Sequence, residues 1–271
     1  MYREFFGLKE KPFNITSDPN FLYLSRVHRE AFSHLLYGIK ERKGFLEITG
    51  EVGAGKTTLC RALLSKLDKN TKSAFIFNST LPEMQLLQAI LEDYGLVVEG
   101  RSKVSLLKQL NRFLIEELTK GNNVILIIDE AQNLKPSILE EIRMLSNLET
   151  DKEKLFQIIL VGQPELKNKL NSPGLRQLRQ RIAVRFHITA LAKDEVGEYI
   201  YHRLNVAGSS GQIVFAPDAV ECIHRFSGGI PRLINMVCDK AMLTAYVKET
   251  RTITLPIVEK SIQELEGVIA A

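Results

Sequence analysis

Residues Gly50 to Thr57 read Gly-Glu-Val-Gly-Ala-Gly-Lys-Thr, and this run constrains the fold more than any other stretch. Glycines at Gly50, Gly53 and Gly55 let the backbone turn tightly, so that successive N–H groups converge on one point. Ahead of the run stands the short apolar stretch Phe45-Leu46-Glu47-Ile48-Thr49, and behind it Leu59, Leu63, Leu64 and Leu67 recur at helical spacing. A strand that feeds a glycine turn, which in turn opens a helix, is the setting in which such a run cradles phosphate. The helix adds its positive N-terminal end. At this spacing Lys56 is expected to reach the β- and γ-phosphates, and Thr57 to set its hydroxyl on magnesium. The phosphate-contacting set is then Gly50, Glu51, Val52, Gly53, Ala54, Gly55, Lys56, Thr57 and Thr58.

The rest of the chain supplies a sheet for that strand. Val124 to Asp129 and Leu155 to Gly162 are runs of the kind found in strands buried on both faces, and Ser73 to Asn78 and Val184 to Ile188 offer two more. Between them Arg26 to Ile39, Glu83 to Tyr94 behind Pro82, Ser102 to Lys120 and Ser137 to Leu148 read as helices. Strands alternating with helices predict a parallel sheet with right-handed crossovers, covered on both sides. From Leu191 onward the strand-like runs stop. Asp194 to Val206, Pro217 to Phe226, Pro231 to Lys248 and Pro256 to Glu266 all carry helical patterns. We expect an α/β domain over residues 1–189, including an irregular aromatic arm from Tyr2 to Tyr23, and a helical domain over residues 190–271.

A second element points to the same chemistry. Val124-Ile125-Leu126-Ile127-Ile128 runs into Asp129 and Glu130. Acids at the carboxyl end of a parallel strand sit at the mouth of the sheet, where ligands bind. Asp129 is placed to hold magnesium through its water shell, and Glu130 to polarise an attacking water as general base. Gln163 ends the next buried run, where a side-chain amide would orient that water or touch the γ-phosphate. Together these residues predict hydrolysis of ATP with magnesium.

The combination of Gly50–Thr57, Asp129-Glu130, a polar strand end at Gln163 and a helical tail resembles the AAA+ ATPases. More narrowly, the chain is similar to the ATPase domain of the ExeA/GspA-type general secretion ATPases, including forms associated with exosortase and polysaccharide export. The text that carries this includes Phe5-Phe6-Gly7-Leu8, Lys11-Pro12-Phe13, His28-Arg29-Glu30-Ala31, Asp129-Glu130-Ala131-Gln132, Val161-Gly162-Gln163-Pro164 and Gly228-Gly229-Ile230-Pro231-Arg232. The resemblance implies a P-loop three-layer sandwich with a five-stranded parallel sheet in the order 5-1-4-3-2, followed by a small all-helical lid. It implies that Arg232, behind Pro231, contacts the γ-phosphate from the lid. It also implies that Pro12, Phe13 and Tyr23 border the adenine, the alternative being that these residues pin the arm to the core. The segment from Leu175 to Arg181 is where AAA+ proteins carry an arginine that reaches a neighbouring subunit's site. Arg179 is the first choice, ahead of Arg176 and Arg181. A homo-oligomer, ring or filament, with nucleotide at its interfaces would follow. The longer secretion ATPases continue into a membrane span and a peptidoglycan-binding region, so this chain is either a stand-alone member or part of a longer one.

Two partner classes compete. One is a component of an inner-membrane secretion or polysaccharide-export machine. The other is DNA, as in the MuB/TniB-type transposition ATPases, with Lys167, Lys169 and the arginines from Arg176 to Arg185 as a phosphate-tracking stripe. The net charge of +4 permits an anionic partner without arguing for one. A nucleotide-gated switch with little turnover is disfavoured by Glu130, and a DEAD-box helicase by the helical tail. Cys60, Cys222 and Cys238 show no metal-ligand spacing and read as reduced thiols. With no apolar signal-peptide core and no apolar run long enough to span a bilayer, the chain is expected in the cytoplasm, at the inner membrane only through a partner.

Overall fold

The computed structural model describes residues 2–77, 80–147 and 154–267. Along the chain run α1 (Tyr2–Phe5), α2 (Arg26–Lys40), β1 (Phe45–Gly50), α3 (Lys56–Lys66), β2 (Thr71–Ile76), α4 (Glu83–Asp93) and α5 (Lys103–Thr119). Then follow β3 (Asn123–Ile128), α6 (Pro136–Leu145), β4 (Gln157–Gly162), α7 (Pro164–Leu170), α8 (Arg176–Arg181) and β5 (Ile182–Ile188). The remainder is α9 (Lys193–Val206), β6 (Val214–Phe215), α10 (Pro217–Ser227), α11 (Pro231–Val247), β7 (Thr252–Ile253) and α12 (Leu255–Leu265). Asn78 and Leu148, expected as the ends of a strand and a helix, lie outside the described residues.

The chain divides into two compact units. The first in size comprises Arg29–Val52 and Leu59–Ile188 and contains a parallel sheet in the order β2-β3-β4-β1-β5, which is the expected order read from the other edge. Burial explains why the sequence patterns looked as they did. Every residue of β1 and β4 is buried, Glu47, Thr49 and Gln157 included, as expected of central strands covered on both faces. Edge strand β5 instead alternates, with Ile182, Val184 and Ile188 inward and Ala183, Arg185 and His187 outward. Register pairs Ile48 with Val161 and Ile128 with Leu160. The carboxyl ends of β3, β4 and β1 therefore lie side by side on one edge of the sheet. Helix α5 starts on a side-chain cap, Ser102 Oγ accepting from the Ser105 N–H at 3.2 Å. Pro82 stands at the N-cap of α4, directly before the helix that was expected to begin at Glu83.

The second unit comprises Met1–His28, Gly53–Thr58 and Thr189–Ala271. Its core joins Phe6, Phe13 and Phe21 of the arm to Val196, Ile200, Ile223, Ile234, Val237 and Met242 of the helices, all nearly or fully buried. The arm thus packs with the helical region. Its anchor is Arg203, 6% exposed on α9, whose guanidinium donates to the carbonyls of Pro12 at 2.5 Å and Asn14 at 2.9 Å and lies 4.7 Å from the Phe21 ring centre. A buried cation is tolerable only with partners of this kind. This region also holds a pairing that helical periodicity did not suggest: β6 and β7 form a two-stranded parallel ladder, with Val214 opposite Thr252 and Phe215 opposite Ile253.

Candidate active site

In the second unit, Gly53 to Thr58 of the phosphate loop take the form that the loop's glycines permit. Gly53 and Gly55 have φ of +81° and +93°, in the left-handed region that glycine adopts without strain. The loop packs closely on its own unit. A Cβ on Gly53 would lie 2.5 Å from the Arg232 Cβ, and the Arg232 N–H donates to the Gly53 carbonyl at 3.2 Å. Lys56 opens α3 and is 5% exposed, and the first turn of that helix contains no acid. Backbone turned by glycines, a helix start without a competing carboxylate and a buried ammonium together make a cradle for phosphate. Thr57 and Thr58 follow in the same turn, half-buried. The Arg232 side chain is exposed and makes no hydrogen bond or ion pair among the described residues.

In the sheet unit, Asp129 directly follows β3 and is 3% exposed, its carboxylate accepting from the Glu130 N–H at 2.9 Å. Glu130 has φ of +51° and ψ of +36°. A non-glycine residue in that region is held there by its surroundings, at a cost of order 1–3 kcal/mol. The surroundings include two amides. Gln132 Nε2 donates to Glu130 Oε2 at 2.5 Å and Gln163 Nε2 donates to the same oxygen at 3.0 Å. Gln132 Oε1 in turn accepts from the Gln163 N–H at 3.0 Å. The acid turn after β3 and the end of β4 are thereby tied into one network. Sequence reasoning singled out Glu130 and Gln163 but gave Gln132 no role. Its only signal was its place in the Asp129-Glu130-Ala131-Gln132 run.

Among the described residues no cluster of three or more His, Cys, Asp or Glu side chains is placed to hold a metal. Magnesium is a hard ion that keeps waters and takes one or two protein oxygens, with the phosphates supplying others. Thr57, on the loop, and the buried Asp129, after β3, each carry an oxygen of the kind it takes.

The arm residues expected at the base make contacts within their own unit. Phe13 is 2% exposed and meets Phe215 edge-on at 6.2 Å, so it is a core residue that pins the arm. Pro12 is buried, with its carbonyl taken by Arg203. Tyr23 is half-buried, hydrogen-bonded to Glu198 at 2.5 Å and stacked edge-on against Tyr199. Pro231 is the first residue of α11 and half-buried.

The basic residues read as a stripe are largely occupied within their own unit. Lys169 Nζ donates to the carbonyls of Gln132 and, at 2.7 Å, Leu134. Arg185 Nε lies 3.3 Å from Glu47, a carboxylate whose pKa burial raises and Arg185 and Lys167 pull down. Arg181 donates to Ser146 Oγ at 3.0 Å and to Asn147. Arg179, half-buried, donates to Asn171 Oδ1 at 3.4 Å, and its carbonyl accepts from Arg185. Arg176 alone of these arginines is exposed with a side chain that makes no hydrogen bond or ion pair among the described residues.

Comparison with known proteins agrees with this geometry. Residues 39–170 match the family model described as AAA domain. The chain is 44% identical, over 269 residues and 99% of its length, to general secretion pathway protein A of Aeromonas hydrophila, of which it spans 49%. Its fold is similar to that of the Aeropyrum pernix ORC2 protein in its ADPNP-ADP complexes, with a TM-score of 0.72, 19% identity, and coverage of 94% of this chain and 72% of that one. It is similar also to the RuvB Holliday junction branch migration motor of Thermotoga maritima, with a TM-score of 0.60, 20% identity, and coverage of 88% and 68%. At those identities the two structures speak to the fold alone. Residues 39–170 are thus similar to an AAA domain, and nearly the whole length of the chain is similar to the part of general secretion pathway protein A that it spans.

Proposed function

We propose that this chain hydrolyses ATP with magnesium and couples the reaction to assembly or remodelling of a bacterial envelope secretion or polysaccharide-export system. The observation that carries hydrolysis, as opposed to binding alone, is the Glu130 carboxylate held by the amides of Gln132 and Gln163. Two donors on one oxygen fix the direction of the other, as a general base requires. In the step proposed, water oxygen attacks the γ-phosphorus and gives a proton to Glu130. The bond to the β,γ-bridging oxygen breaks, leaving ADP and phosphate. Magnesium, when bound, neutralises charge on the β- and γ-oxygens. Lys56 and Arg232 do the same from the loop and the lid, and Gln163 holds the base. Pro12, Tyr23 and Pro231 are assigned to the nucleotide's base end.

The oligomer is part of the proposal, with the active sites completed by an arginine from a neighbour and the assembly working at the cytoplasmic face of the inner membrane through a partner. No helix among the described residues is long and apolar enough to cross a membrane. Arg176, exposed and unengaged, suits the role in trans better than Arg179, because a guanidinium bound to its own chain must first give up those bonds. Mixing tests this. Arg176→Ala and Glu130→Gln subunits, each inactive alone, are expected to recover part of the activity when combined, since some interfaces then hold both an intact base and an intact arginine. No recovery in verified mixed assemblies would remove Arg176 from the role.

The DNA-tracking reading is not favoured, since Lys169, Arg181 and Arg185 are engaged within the chain. Magnesium-dependent ATPase activity is expected, with a rate that duplex DNA changes less than twofold at low and high salt. A strong stimulation that collapses with salt would instead place the chain with the transposition ATPases.

A further inference from the structure

Beside the phosphate loop stands a histidine that the proposed reaction leaves unused. His28, on the first turn of α2, is 2% exposed. Its Nε2 lies 2.8 Å from the carbonyl oxygen of Ala54, and its Nδ1 lies 2.6 Å from Ser25 Oγ. Both partners belong to the same compact unit as His28. A carbonyl only accepts, so Nε2 carries the proton, and bare Nδ1 accepts from the Ser25 hydroxyl. Ser25 Oγ accepts in turn from the His28 N–H at 3.2 Å. Burial lowers the His28 pKa and keeps the ring neutral, the form this chain of bonds requires.

The consequence lies in the peptide plane. In a trans peptide the C=O and the following N–H point in opposite directions. Holding the Ala54 carbonyl toward His28 therefore aims the Gly55 N–H away from it. The preceding carbonyl, of Gly53, is held in the same manner by the Arg232 N–H at 3.2 Å, which aims the Ala54 N–H. Two successive loop carbonyls are thus gripped, one by the first turn of α2 and one by the first turn of α11. Contact is close: a Cβ on Gly55 would lie 3.1 Å from His28 Nε2.

We propose that His28 is a positioning residue for ATP binding: through the Ala54 carbonyl it fixes the direction in which the Gly55 N–H is presented to phosphate, with Ser25 selecting the tautomer. This rests on the nucleotide reading of the loop and adds a determinant of affinity to it. His28 touches no phosphate and takes no part in the transfer of the proton, so its removal acts on binding more than on turnover.

Steady-state kinetics and equilibrium binding of magnesium-ATP to the full chain, with folding checked by circular dichroism, test the proposal. His28→Leu keeps much of the ring's bulk without a donor and is expected to raise both Kd and KM about tenfold, the worth of one well-placed hydrogen bond, with kcat within about threefold. His28→Gln places an amide Nε2 where the imidazole Nε2 stood and is expected to restore KM to within about threefold of the wild-type value. Ser25→Ala, which frees the tautomer and leaves the ring in place, is expected to raise KM by about twofold to fivefold. A purely structural role would lower the melting temperature of the Leu and Gln variants alike and leave the affinity of the folded protein unchanged, and that result would overturn the proposal. So would a fall in kcat at unchanged KM, or a folded His28→Gln with the affinity of His28→Leu. Should His28→Leu not fold, the Gln and Ser25 variants decide by the same criteria. Wild-type protein that fails to bind magnesium-ATP would overturn the nucleotide reading itself, an outcome distinct from failed rescue beside normal wild-type binding.

Discussion

Lys56→Ala is expected to lower the affinity for magnesium-ATP by roughly 100-fold or more, the scale that follows from deleting one buried, charge-assisted hydrogen bond to an anion. The ammonium stands at the first position of α3 and is 5% exposed. Taking a cation out of water is costly, so a lysine in this place has to be offset by an anion or by several acceptors. The glycine turn and the start of α3 present N–H groups to the same anion. The expected variant remains folded, because alanine is a good helix former and the loop's carbonyls are still gripped by Arg232 and His28. Equilibrium dialysis with labelled ATP reads the effect directly. Retention of wild-type affinity by folded Lys56→Ala would remove the loop from the nucleotide site.

Glu130→Gln is expected to do the opposite: affinity stays within a few-fold of the wild-type value while kcat falls by a factor on the order of 100 or more. The substitution is isosteric. A glutamine carbonyl at position 130 can still accept from Gln132 and Gln163, so the turn after β3 keeps its shape and only the basic oxygen is removed. The contrast between the variants is the informative part. One removes binding and the other removes chemistry, and a single-turnover experiment on Glu130→Gln separates the two by showing bound, uncleaved ATP. Turnover at the wild-type rate would end the general-base assignment.

The sheet was legible because its strands obey one rule each. The central strands are mostly apolar since both faces are covered, and the helices between them repeat at 3.6 residues since one face is covered. The phosphate loop and the acids after β3 were legible because their chemistry demands particular residue types at fixed spacing. The rest depends on what is not written in periodicity. Strands of two residues, as at Val214 and Thr252, are too short to alternate. The arm's aromatics gave no indication of which core they joined, because Phe13 is equally suited to a base or to Phe215 until the partner is known. A buried arginine such as Arg203 looks in sequence like any basic residue on a helix. Gln132 and His28 act through hydrogen bonds to residues 31 and 26 positions away, and pairings of that reach leave no local pattern. The arginines of α8 show the same limit: residue type and position do not tell which bonds each side chain already makes, as Arg179 does to Asn171 and Arg181 to Ser146.

The make-up of the helical unit from Met1–His28, Gly53–Thr58 and Thr189–Ala271 has a bearing on the order in which the molecule can be completed. A ribosome delivers the chain from its amino end, and domains generally fold as units once their parts are available. The sheet unit has all its strands by Ile188. The arm, although synthesised first, must wait: Phe13 has no Phe215, Tyr2 no Asp239 and Pro12 no Arg203 until the last third of the chain has emerged. The Arg232 N–H that grips the Gly53 carbonyl arrives equally late. The loop, encoded near the front, is among the last parts of the protein to acquire its full set of contacts. A nascent chain can therefore display a finished sheet while its phosphate loop still lacks that support.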